Sequence, residues 1–235
     1  VKAQTLLAER AGVTMFREHA TALCAVTGGV AVELASGTTL HAERALVATG
    51  AFTEVCGLSP VNLGLTVFGR TVALAQIDGD MSARLTGMPT MVDAGTGAYI
   101  LPPILYPDGN TYLKIGMGTD ADVRFNSLSA LQDWFRSTGS DDDRVKLIRF
   151  LTSLIPALAE CIHWHTEACA VTETASGLPI IDFAHDDRIA VAVGGCGKGA
   201  KGADEWGRIA ASLVAGCADE ESVDLSKLTL PGHSN

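Results

Sequence analysis

The chain has 235 residues, enough for one large or two small domains with a real core, and 47% of them are hydrophobic against 19% charged. A formal net charge of −10 argues against a nucleic-acid or anionic-membrane partner, since either would want a basic face. No apolar run approaches the roughly 20 residues that a membrane-spanning helix needs.

In chain order, residues 1–12 carry Leu6, Leu7 and Ala11 at helical spacing and end at a glycine. A meander of short strands is predicted next, over residues 14–17, 20–26, 30–34 and 39–41, divided by turns at Gly28-Gly29 and Ser36-Gly37. The run Ala45-Leu46-Val47-Ala48-Thr49-Gly50 is continuously apolar up to Thr-Gly, as expected of a strand buried on both faces. Residues 63–77 are β-rich with an expected break at Gly69-Arg70, and residues 99–103 and 111–117 flank a hairpin turn at 106–110. Two helices follow: one opened by a capping box, Ser129-x-x-Gln132, ahead of Leu131, Trp134 and Phe135, the other by Ser140-Asp141-Asp142-Asp143, with Val145, Ile148, Leu151 and Leu154-Ile155 on its stripe and a stop at Pro156. The acidic run is a helix start, not a metal site. Strands are expected over residues 166–171 and 178–183, then 188–193, and a helix over residues 204–217 before a polar tail at 223–235.

The six cysteines, Cys24, Cys56, Cys161, Cys169, Cys196 and Cys217, form no Cys-x-x-Cys pair and read as reduced thiols of a cytoplasmic protein. The opening Val1-Lys2-Ala3-Gln4 has no initiator Met and no signal-peptide layout, so it reads as a chain entered in mid-sequence. His163-x-His165 places two imidazoles on one strand face, but two histidines alone make a poor metal site, and strand-edge polar residues is the preferred reading.

The stretch richest in chemistry is Gly194-Gly195-Cys196-Gly197-Lys198-Gly199-Ala200-Lys201-Gly202, between an apolar run and a helical pattern. Strand, glycine turn and helix bring a backbone close to an anion at a helix N-terminus. Two lysines stand where the helix dipole disfavours cations by roughly 0.3–1 kcal/mol each, which suggests that they face something negative. Gly195-x-Gly197-x-x-Ala200 resembles a dinucleotide fingerprint, yet the expected following strand with its acid, roughly 20 residues on, is missing. A Walker A loop fails because Lys198 and Lys201 are each followed by glycine instead of Ser or Thr. Glycines that only allow tight strand–helix packing remain the competing explanation.

Five segments stand in an order that resembles the D-amino acid oxidase-like superfamily, in its branch of monomeric sarcosine oxidase and glycine oxidase-like enzymes. They are Arg44-Ala45-Leu46-Val47-Ala48-Thr49-Gly50-Ala51-Phe52, Leu113-Lys114-Ile115-Gly116, Cys169-Ala170-Val171-Thr172-Glu173-Thr174, Leu178-Pro179-Ile180-Ile181-Asp182, and residues 191–201 with the helix behind them. The resemblance implies an α/β (α+β) fold: a partial FAD-binding domain from residues 1–57 and 176–235, around an antiparallel-sheet substrate domain at 58–175. It implies FAD as cofactor, a small-molecule amine or amino-acid substrate oxidised at its C–N bond, and oxygen or another electron acceptor.

Residue by residue, the resemblance puts Thr49, Gly50 and Ala51 against the ADP half of FAD. Gly195, Gly197, Lys198, Gly199, Ala200 and Lys201 fall beside the flavin ring, with Lys201 on the substrate carboxylate. Lys114 lies over the flavin face, where relatives use a lysine in the reaction with oxygen. Cys169 matches a cysteine that some members join to the flavin, although a small buried hydrophobe explains it equally well. Tyr99 and Arg70 are possible substrate contacts in the sheet that roofs the site. Relatives begin with a strand, a GxGxxG turn and a helix that have no counterpart ahead of these landmarks. The expectation is therefore a C-terminal portion completed by an N-terminal segment in cis or in trans, or else a noncatalytic truncated chain or one subunit of a split flavoenzyme.

Overall fold

The computed structural model describes residues 2–118, 122–160, 163–217 and 224–230. It is a mixed α/β molecule built on three sheets. Helix α1 (Lys2–Arg10) leads to a three-stranded antiparallel meander, β1 (Ala20–Val26), β2 (Gly29–Leu34) and β3 (Thr39–Ala42). Residues 14–17 are not a strand: Met15 and Phe16 are exposed and the meander begins only at Ala20. Strand β4 (Ala45–Val47) then ends in a short 3-10 turn, Gly50–Phe52. Gly50 adopts φ +56°, and the Thr53 hydroxyl donates to the Gly50 carbonyl at 2.8 Å.

The central sheet has six strands. They are β5 (Thr66–Ile77), β6 (Met91–Val92), β7 (Tyr99–Leu105), β8 (Thr111–Gly116), β9 (Arg124–Phe125) and, beyond the helices, β10 (Trp164–Glu173). All pairings are antiparallel, in the order β10-β5-β8-β7-β6, with β9 on one end of β5. The short helix α2 (Gly79–Arg84) follows β5, opened by the Asp78 carboxylate accepting from the Met81 amide. The expected break at Gly69-Arg70 does not occur. Strand β5 runs straight through, because the Phe125 and Trp134 rings occupy the space that a Cβ at Gly69 would need.

Helix α3 (Leu128–Arg136) is capped by Ser127, whose side chain accepts from the Ala130 amide, and not by Ser129. Helix α4 (Asp141–Leu154) opens as its sequence suggests, on Ser140 with three acids in the first turn. Alternation along the strands sends Ala73, Ala75, Ile77, Ile100, Leu113 and Ile115 to one face, where Leu147 and Leu151 of α4 and Leu158 complete a core. The other face of the sheet is not part of that core.

The third sheet places β12 (Ile189–Val193) between β11 (Ile180–His185), antiparallel, and β4, parallel. Strand β4 is an edge strand whose Val47 is buried while Leu46, on its other face, is 38% exposed, which corrects the expectation of burial on both faces. Helix α5 (Gly199–Ala215) begins five residues before the apolar pattern suggested and closes on Gly216 in the left-handed region, φ +69°. The segment expected to be a polar tail is partly core: Leu228 and Leu230 are buried, and the Leu228 carbonyl accepts from the Ile181 amide at 2.8 Å. Residues 223 and 231–235 of that tail, and Cys161, lie outside the described residues. The other five cysteines are free thiols. Among the described residues no helix is long and apolar enough to cross a membrane.

Candidate functional site at the open face of the central sheet

Register decides which side chains share a face. In antiparallel pairs, opposed residues point the same way. The pairs Cys169↔Arg70, Tyr99↔Gly116, Leu101↔Lys114 and Leu74↔Lys114 therefore put Cys169, Arg70, Tyr99 and Lys114 together on the face away from α4. All four are half-buried. A lysine at the fourth position of a six-residue strand would ordinarily face solvent; this one lies on a sheet face with Arg70, Tyr99 and Cys169.

Their mutual influence reads out in two acidities. Burial pushes the Cys169 thiol above its ordinary value, while the nearby cations Lys114 and Arg70 pull it back. Burial also raises the Tyr99 phenol, with the Cys169 charge adding to the rise and Arg70 opposing it, so Tyr99 stays a neutral donor at neutral pH. Cys169 is accordingly expected to alkylate more slowly than the exposed Cys24 and Cys217 at neutral pH, and to gain rate as pH rises. Mass spectrometry of iodoacetamide adducts checks this. Equal rates for the three thiols would place Cys169 in open solvent.

Glycines shape this face. A Cβ on Gly116 would collide with the phenol end of Tyr99, so that side chain packs against the strand only because position 116 has no side chain. A Cβ on Gly118 would lie 2.9 Å from the Arg70 guanidinium carbon. Arg70 pairs with Asp122 and, at 3.9 Å, with Glu173, and it lies over the Phe68 ring. Its charge is thus engaged by two carboxylates of the chain, neither of which the residue pattern pointed to.

The glycine turn after β12 abuts the same strand that carries Cys169. The Cys196 amide donates to the Thr172 carbonyl at 2.9 Å, and a Cβ on Gly197 would touch Val171 at 4.0 Å. Gly194 and Gly197 adopt φ +75° and +69°, and Cys196 joins them at +46°, a conformation costing roughly 1–2 kcal/mol for a residue with a side chain. Helix α5 starts at Gly199 with no side-chain cap and no acid in its first turn. Lys198 is exposed and its ammonium donates to the Gly177 carbonyl at 3.4 Å; Lys201 is exposed on the first turn. Gly195, Gly199 and Ala200 complete the turn and helix start. The sequence also contains Gly197-x-Gly199-x-x-Gly202, but a Cβ at Gly202 would meet Trp206 of the same helix, not a sheet. The other stretch of interest, Thr49, Gly50 and Ala51, belongs to the 3-10 turn that packs against β10. Strand β10 is where the two glycine turns and the polar face meet.

This donor set fits the ring end of a flavin. A helix start without cap or acid, reached by glycines that let the backbone approach closely, suits an anionic ring edge. The adjoining face supplies a cation, a phenol and a thiol. Elsewhere, a cleft of about 510 Å³ opens toward the other end of β5, lined by Ile77, Asp80, Arg84, Glu160 and His163, and includes none of these groups. Among the described residues no cluster of three His, Cys, Asp or Glu side chains could hold a metal.

The fold is shared with a modified fructosyl peptide oxidase from Aspergillus nidulans (TM-score 0.76, 15% identity, 99% of this chain and 60% of that one). It is shared also with iminodiacetate oxidase from Chelativorans sp. BNC1 (TM-score 0.75, 14% identity, 97% and 57%). A third match is an unusual amino acid oxidase essential for nikkomycin biosynthesis (TM-score 0.70, 19% identity, 97% and 58%). At these identities the likeness is one of fold, and the chain spans between half and three-fifths of each of these solved chains. No curated protein matches. The model of the family described as FAD dependent oxidoreductase (DAO) matches residues 1–213. The chain belongs to the FAD dependent oxidoreductase family.

Proposed function

We propose that this chain forms the substrate-side and flavin-ring side of an enzyme that oxidises the C–N bond of an amino acid or N-substituted amino acid. In this reading residues 58–175 are the substrate domain, and residues 1–57 and 176–235 contribute to the cofactor domain. A strand–GxGxxG–helix segment completes that cofactor domain, in cis or in trans. The observation that carries the reading is the register of the central sheet, which gathers Lys114, Tyr99, Arg70 and Cys169 on one face beside the turn at 194–199. The solved relatives named for fructosyl peptides, iminodiacetate and amino acids support the substrate class, since each carries an amine beside a carboxylate or a sugar.

FAD, when bound, supplies the two-electron redox chemistry, and the chain supplies binding, orientation and electrostatics. The amides at the start of α5, uncapped and with no acid in the first turn, would hold an anionic ring edge with the positive end of the helix dipole. Lys201, in that first turn, pairs with the substrate carboxylate. Tyr99 keeps its proton and donates a hydrogen bond to the substrate, because burial holds the phenol neutral. Lys114 holds a positive charge on the sheet face where negative charge develops during reaction with the acceptor. Cys169 offers a thiol for attachment of the cofactor.

The test starts with an absorption spectrum of the purified chain after addition of FAD, with and without a strand–GxGxxG–helix segment supplied in trans. Visible flavin bands that bleach anaerobically with N-methyl amino acids or amino acids are the expected result. Colour surviving acid precipitation in the parent and lost in Cys169→Ser would assign the attachment. Failure to retain flavin even when the segment is supplied would sink the reading.

A further inference from the structure

Trp134 and Phe135 read from the residue pattern only as apolar positions of α3, yet these neighbours reach two different parts of the site. The Trp134 indole N–H donates to the Cys169 carbonyl at 2.8 Å. Its ring lies behind Gly69, the neighbour of Arg70, where a Cβ would come within 2.9 Å of Trp134 and of Phe125. Phe125 and Trp134 pack with centroids 5.6 Å apart, so the indole is held from both sides. Strand β10 is at the edge of its sheet, and the indole bond therefore restrains a stretch that has a partner strand on one side only. The next residue, Phe135, stacks on Phe52 of the Gly50–Phe52 turn, centroids 5.5 Å apart and planes 24° from parallel. Leu131, fully buried one turn earlier, anchors the helix that carries both rings.

We propose that α3 is a brace whose Trp134 and Phe135 are positioning residues, holding the Cys169 segment of β10 and the Gly50–Phe52 turn at a fixed spacing. The importance of that spacing rests on the function proposed above, in which the turn faces the ADP half of FAD and Cys169 its ring. The spacing itself does not depend on the cofactor. A helix that only filled space would serve each neighbour separately. A brace couples them, so that loosening one prong is felt at the other.

The test uses Trp134→Phe, which keeps a ring but removes the donor, and Phe135→Leu at the exposed position 135. Two readouts need no flavin: the alkylation rate of Cys169, and hydrogen exchange of the Phe52, Thr53, Val55 and Cys56 amides, which bond within the turn. The meander amides of β1 and β2 serve as the control. Each substitution is expected to raise both readouts by roughly fivefold or more while the control holds, as a local loss of this size implies. The proposal is overturned if each variant moves only the contact it touches, if neither readout moves, or if the meander amides accelerate equally. Failure of the chain to take up FAD would remove the proposed function and leave these outcomes untouched.

Discussion

Replacing Lys114 by Met in the FAD-loaded enzyme is expected to slow its reaction with oxygen by about 10²–10³-fold, the usual cost of removing one preorganised electrostatic group. The KM for the amine should stay nearly constant, because the lysine acts on charge that develops after the substrate is oxidised. Lys201→Ala is expected to behave in the opposite way, raising KM for carboxylate substrates about tenfold, the effect of losing roughly 1.4 kcal/mol of pairing, with the oxygen reaction preserved. Separate reductive and oxidative half-reactions in a stopped-flow instrument resolve the two. The same Lys114 variant carries a readout that needs no cofactor. Lys114 lowers the pKa of Cys169 against the effect of burial, so its removal should slow alkylation of that thiol further at a given pH. An unchanged alkylation rate together with unchanged oxygen kinetics would remove Lys114 from the site.

The largest effect on stability is expected at Leu151→Ala. Leu151 is 0% exposed on the inner stripe of α4 and packs with Leu147 in the core under the central sheet. Truncation there should cost about 2–5 kcal/mol, transfer and cavity terms together. For a chain of this size that corresponds to a fall in Tm of roughly 5–15 °C by circular dichroism. Leu154, one turn on and 47% exposed, is the control, with an expected change within about 0.5 kcal/mol on truncation. If both variants melted like the parent, α4 would not be what backs the sheet.

Features set by neighbours in the chain were legible from the residues. The Ser140 cap with its three acids is local chemistry, and it appears where the pattern put it. Features set by distant residues were not. Gly69 looks like a strand breaker until two rings from β9 and α3 are seen to fill the space beside it. Ser129-x-x-Gln132 has the better capping pattern, yet the helix starts two residues earlier, on the Ser127 side chain that accepts from the Ala130 amide. The helical pattern is legible only from residue 204, although α5 begins at Gly199 and so carries Lys201 in its first turn. At the site, Lys114, Tyr99, Arg70 and Cys169 were found by resemblance, and it is strand register that puts them on one face. The Arg70 pairing with Asp122 and the indole behind Cys169 leave no mark in local sequence, because each joins residues far apart in the chain.

The Tyr99 ring over Gly116 makes the two positions a single unit of inheritance. A lineage that gains any side chain at 116 must move or shrink residue 99 at the same step, and a lineage that loses the ring has no further need of the glycine. The two positions should therefore change together across related sequences, and a search for kin keyed on the tyrosine alone would discard chains in which both have drifted as a pair.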